Sequence, residues 1–125
     1  MTQEDITESF DLGKSIVESS NKMDEFLGDS YEKIKNNSKS VELNEFWNKF
    51  EKKLKSVQGK KLDNQVIVVY TKLSDTRPIL INEMDVIEPW FVKIEGVNCK
   101  TGLPEKEILN SRKEKPEIVI GLYEK

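Results

Sequence analysis

A row of six apolar residues restricts the fold of this chain more than anything else in it. Leu43, Phe46, Trp47, Phe50, Leu54 and Val57 recur at helical steps, with Phe46 and Trp47 side by side. At 3.6 residues per turn this spacing puts all six on one side of an α-helix of about four turns. Such a helix is stable in water only when its apolar side is covered. Ser40 is placed to cap its start. Glu42 and Glu45 lie in its first turns and Lys52, Lys53 and Lys55 near its end, as the helix dipole favours. Gly59 is the expected stop.

A looser stripe precedes it. Ile6, Phe10, Ile16, Val17, Met23, Phe26 and Leu27 predict a first helix over residues 3–27. Gly13 and Ser20 fall on or near this stripe, and small residues there let another backbone approach, within the chain or in a homodimer. Gly28 is the expected end, with Asp29 or Ser30 starting a short turn that carries Tyr31 and Ile34. Residues 35–39 are a polar connector.

Beyond residue 61 the period falls from about four to two. Gln65–Thr71 is β-branched and apolar on both alternating faces, which predicts a central strand covered on both sides. Residues 79–81, 90–97 and 117–123 read as further strands. Residues 82–89 fit either a turn with a short strand or a helical turn. Pro104 is placed to begin a short helix carrying Ile108 and Leu109. The expected fold is therefore α+β: N-terminal helices packed on a mostly antiparallel sheet of about four strands, with a short late helix. Its 125 residues suit one domain, with a helical part over 1–59 and a sheet part over 62–125.

The chemistry available to such a domain is narrow. The chain has no histidine and one cysteine, Cys99. Ser-His-Asp and Cys-His catalysis are thereby unavailable, as are ordinary zinc sites and a disulfide within the chain. No catalytic residue, metal or cofactor is expected, and an enzyme is not the favoured reading. One carboxylate group, Glu83, Asp85 and Glu88, would matter only if folding gathered it into a cleft, where it would bind a divalent ion or act as acid and base. A solvated loop is the plainer reading of it.

Charge is distributed unevenly. Residues 1–32 hold nine acidic residues and two lysines, whereas residues 33–61 hold nine lysines and three glutamates. One reading is internal, with the two helices facing each other. Another turns the acidic side of the first helix, Glu4, Asp5, Glu8, Asp11, Glu18, Asp24 and Glu25, toward a basic surface on a partner protein. Tyr31 would then serve as an aromatic anchor, alongside Phe91 or Tyr123. The alternative is nucleic-acid contact through Lys49, Lys52, Lys53, Lys55, Lys60 and Lys61. The shortage of arginine, with Arg77 and Arg112 alone, speaks against that alternative.

The acidic opening, Met1-Thr2-Gln3-Glu4-Asp5, is the reverse of a secretory leader. The apolar run Val66–Tyr70 is far short of the roughly 20 residues that span a bilayer. A cytoplasmic protein without membrane contact is expected. Alanine is absent, and Lys, Asn, Ile, Glu and Ser are abundant, a bias associated with AT-rich coding such as that of phages and mobile elements. Together these features lead to the expectation of a small protein-binding accessory factor, of inhibitor, immunity or adaptor type.

Overall fold

The computed structural model describes residues 12–124. Three helices come first: α1 (Leu12–Asp29), α2 (Tyr31–Asn37) and α3 (Val41–Lys60). Five strands follow: β1 (Gln65–Lys72), β2 (Pro78–Ile87), β3 (Phe91–Asn98), β4 (Pro104–Asn110) and β5 (Ile118–Glu124). They form one antiparallel sheet in the order β4-β3-β2-β1-β5. The class is α+β, as the periodicities predict. The part of the expected first helix before residue 12 lies outside the described residues.

The long apolar stripe does what its spacing requires. Ser40 accepts a hydrogen bond from the Leu43 amide and so caps α3. Leu43, Trp47, Phe50 and Leu54 are buried, and Phe46 and Val57 pack half-buried beside them. These side chains join Met23 and Phe26 of α1 and Tyr31 of α2 against one face of the sheet. That face is built from Ile67, Val69, Ile79, Ile81, Met84, Val92, Ile94, Leu109, Ile118 and Ile120. Ser20 is buried as well, so the small residue on the first helix's stripe packs inside the chain.

The sheet is bent at its middle. β1 and β2 pair only from Tyr70↔Leu80 to Lys72↔Pro78, whereas β1 pairs with β5 along its length, from Gln65↔Glu124 to Thr71↔Ile118. The β2–β3 register shifts between Ile81 and Glu83, which makes Asn82 an extra residue and bends the strand. Ser19 of α1 turns its buried hydroxyl to the Asn82 side-chain oxygen and the Ile81 carbonyl at this point.

Four details depart from the sequence reading. Gly28 and Gly59 do not stop their helices, which run on to Asp29 and Lys60; neither has the left-handed backbone that a glycine stop uses. Residues 82–87 continue β2. The expected late helix is instead β4, so the strands number five. Leu109 enters the core while its neighbour Ile108 stays out, the alternation of a strand, and Pro104 sits at the first position of an edge strand, where a missing N–H is tolerated.

The helices are held to one another by a half-buried polar triad. Glu51 of α3 accepts from the Tyr31 hydroxyl at 2.8 Å and from the Lys35 ammonium of α2. The Lys35 bond, then the Tyr31 bond, hold the Glu51 carboxyl below its ordinary value of 4.5. On acidification the unfolded chain therefore takes up this proton first. The stabilisation is complete above pH 4.5 and is lost as the pH falls through the lower folded value. Glu51→Gln is expected to flatten the acid side of the stability-versus-pH curve. At neutral pH it should cost about 1 kcal/mol, the scale of one net hydrogen bond. Urea denaturation from pH 3 to 7 checks this, and curves of equal slope for both proteins would show that the triad carries no such linkage.

Candidate protein-binding surface

All three helices lie on one face of the sheet, so the strand register alone decides what the other face presents. Side chains alternate between faces with period two, and residues directly opposite in an antiparallel pair share a face. Next to the β5 edge the second face carries Val66, Val68 and Tyr70 of β1, Leu80 of β2, and Val119, Gly121 and Tyr123 of β5. Val66, Val68 and Leu80 are buried although they lie outside the helix-covered core. Tyr70 and Tyr123 remain 39% and 37% exposed. The Tyr70 ring lies close to Gly121, which leaves room for it. The two-sided apolar character of β1 is thus real: Val66, Val68 and Leu80 are buried on this face as Ile67 and Val69 are on the other.

Further along the same face the register sets Ile87 opposite Phe91, and Ile108 opposite Lys93. Ile87 and Ile108 are 41% and 53% exposed. Between the two apolar zones runs a charged row: Glu83 opposite Glu95, which pairs with Lys106 at 3.0 Å. Glu83 keeps its proton above the usual carboxylate range chiefly because it is hydrogen-bonded to Glu95, with burial adding to the effect. The same bond, together with Lys106, holds the Glu95 carboxyl low.

The residues picked out from sequence are scattered by the fold. Glu18, Asp24 and Glu25 stand exposed on α1, while Glu4, Asp5, Glu8 and Asp11 lie outside the described residues. Tyr31 is not a surface anchor: it is 5% exposed and packs against Phe26, Trp47 and Phe50, because it opens α2 beneath the apolar side of α3. Phe91 is half-buried and leans on Trp90, over whose ring the Arg112 guanidinium stacks 4.5 Å from the centroid. Lys49, Lys52, Lys55, Lys60 and Lys61 are exposed, but Lys53 is tied to Glu117 and to the Ile118 carbonyl. The aromatic residues of α3 that would stack on bases face the core instead.

Glu83, Asp85 and Glu88 do not form one cluster. Glu83 joins Glu95, Asp85 accepts from the Val86 amide, and Glu88 accepts from the Lys39 amide. Among the described residues no group of three acidic or cysteine side chains is placed to hold a metal ion. The Cys99 thiol is half-buried, and burial pushes its pKa up, away from nucleophilic character. Among the described residues no helix is long and apolar enough to cross a membrane.

Two grooves border the helices. One, of about 800 Å³, lies between α1 and strands β2–β4 and is lined on the helix side by Lys22, Glu25, Phe26, Asp29, Gly96 and Glu105. The other, of about 370 Å³, runs between α3 and residues 109–118 over a floor of Phe46, Phe50, Leu109 and Ile118. On its rim Lys53 pairs with Glu117, and Glu42 lies 3.9 Å from the Arg112 guanidinium beside the groove.

Tyr70, Ile87 and Ile108 escaped the sequence reading as surface residues. Ile87 lay in the ambiguous 82–89 stretch and Ile108 in the expected helix. Tyr70 was read as part of a strand covered on both sides. Comparison with protein-family models, curated proteins and solved structures finds no match.

Proposed function

We propose that this protein acts by binding another protein through the face of its sheet opposite the described helices. One observation carries the reading: Tyr70, Ile87, Ile108 and Tyr123, four of its large exposed apolar side chains, stand on that single face. Exposed aromatic and aliphatic residues gathered on one surface are what interface hot spots are made of. The charged row of Glu83, Glu95 and Lys106 between the two zones supplies orientation. The acidic side chains Glu18, Asp24 and Glu25 on α1 add a field that speeds encounter with a basic partner and selects against acidic ones.

The test is affinity capture from cells that express the protein, followed by mass spectrometry, with two sets of variants. Ile87→Lys with Ile108→Lys is expected to weaken the captured interaction about 30-fold, the effect of losing roughly 2 kcal/mol at a hot spot. Glu18→Lys with Glu25→Lys should slow association and make it less sensitive to salt, while changing dissociation little. Capture of nothing specific, or equal capture by the Ile87/Ile108 variant, would remove the reading. Retention of nucleic acid with affinity that falls steeply in salt would point to the lysine side of α3 instead.

A further inference from the structure

The two edges of the sheet are built differently. An edge strand exposes unpaired backbone groups, and proteins ordinarily guard such edges with charge, proline or a bulge. β4 is guarded: it opens with Pro104 and carries Glu105, Lys106 and Glu107 in succession. β5, at the opposite edge, reads Ile118-Val119-Ile120-Gly121-Leu122-Tyr123 with no charge or proline until Glu124. Among the described residues it is paired on one side only, with β1.

We infer that β5 is a dimerisation edge, where a second copy of this chain pairs antiparallel with the first about a two-fold axis at Gly121. This rests on the edge alone and holds whether or not the sheet face binds another protein. The sequence of β5 complements itself in that register. Gly121 meets its own copy, so nothing bulky stands on the axis. Leu122 meets Ile120 of the other chain on the helix-covered side. Tyr123 meets Val119 on the open side, an aromatic–β-branched pair of the kind that stabilises antiparallel strands. Glu124 meets Ile118, whose carbonyl already holds the Lys53 ammonium at 2.8 Å.

A second copy therefore fits this edge residue by residue, which a guarded strand such as β4 does not offer. The result is a continuous sheet of two five-stranded halves, with the Tyr70 and Tyr123 zones of both copies adjoining on one face. The contact is isologous and closed, so growth stops at two.

Sedimentation equilibrium of the full chain across the micromolar range, with engineered cross-linking, tests this. The wild type should sediment as twice its 14.5 kDa mass. Gly121→Cys, in a Cys99→Ser background, should form an intermolecular disulfide on mild oxidation, because directly opposed residues lie within disulfide reach. An added Cβ at Gly121 meets nothing closer than 3.9 Å, so this variant should fold. Val119→Lys with Tyr123→Lys should give a monomer of unchanged circular dichroism, since each lysine then faces another. Val119→Lys with Tyr123→Glu should restore the dimer by pairing opposite charges. A wild type that stays monomeric at every concentration would overturn the inference. So would a dimer that survives the double lysine variant, or one whose Gly121→Cys form fails to cross-link.

Discussion

Trp47→Ala should remove a large part of the stability of this domain. Trp47 is 1% exposed, and its ring meets those of Phe46, Tyr31 and Phe50 edge-on or tilted, with centroids 4.9, 5.5 and 5.9 Å away. Its indole nitrogen donates to the Ser38 hydroxyl at 2.9 Å, and that hydroxyl donates to the Ile34 carbonyl. One side chain therefore joins α3, the α2–α3 connector and the aromatic cluster. Emptying a site of this kind costs about 3–5 kcal/mol, since lost burial and the residual cavity add. A domain has about 5–15 kcal/mol in all. Urea denaturation followed by far-ultraviolet circular dichroism should show the midpoint falling by about a third or more, or no folded baseline at all. Trp47→Phe separates the contributions: it keeps an aromatic ring and loses the donor, and about 1–2 kcal/mol is expected. An alanine variant within 1 kcal/mol of wild type would mean that the aromatic cluster is not the centre of the fold.

Gly96→Ala should be at least as damaging, for a reason invisible in any hydropathy pattern. A Cβ at Gly96 would stand 1.8 Å from the Leu80 carbonyl oxygen, 2.7 Å from its carbon and 3.0 Å from the Ile81 Cα. All three are backbone atoms, so no side chain can swing aside to admit it. Relief requires β2 and β3 to part where Ile81 faces Gly96, next to the register shift that bends the sheet. A loss of about 4 kcal/mol or more is expected, the size reserved for core and backbone conflicts. The paired control is Gly121→Ala, whose Cβ meets only the Tyr70 ring at 3.9 Å and a Val68 methyl at 4.0 Å. It should change stability by less than about 0.5 kcal/mol. Thermal melts of both variants, or recovery of Gly96→Ala only as aggregate beside a soluble Gly121→Ala, would establish the difference. Equal stability of the two would mean that β2 and β3 do not approach this closely in solution.

How far the amino-acid order reaches is clear from particular elements. The stripe from Leu43 to Val57, its Ser40 cap and the burial of Trp47 and Phe50 follow from spacing alone, because helical periodicity repeats within a few residues of chain. The same holds for β1, β3 and β5. β4 was lost to a proline and an Ile108-Leu109 pair that fit a helix locally. Only pairing with β3, set by residues some fifteen positions earlier, makes that stretch a strand. Tyr31 shows the limit for sites. A tyrosine in a polar stretch reads as exposed, yet α3 folds over it and leaves its hydroxyl to Glu51.

By itself, then, the order of residues determined the helix over 41–60 and the strands β1, β3 and β5, that helices and strands segregate along the chain, and that histidine-dependent chemistry is closed to it. Tertiary structure alone decided that the described helices gather on one face of the sheet, that Glu83, Asp85 and Glu88 go separate ways, and that β5 lies at the edge of the described sheet. The physical reason is range. Periodicity, capping and side-chain chemistry are properties of neighbours in sequence, whereas faces, edges and clusters arise from contacts between residues far apart in it. No local pattern encodes which of two apolar sides a helix will come to cover.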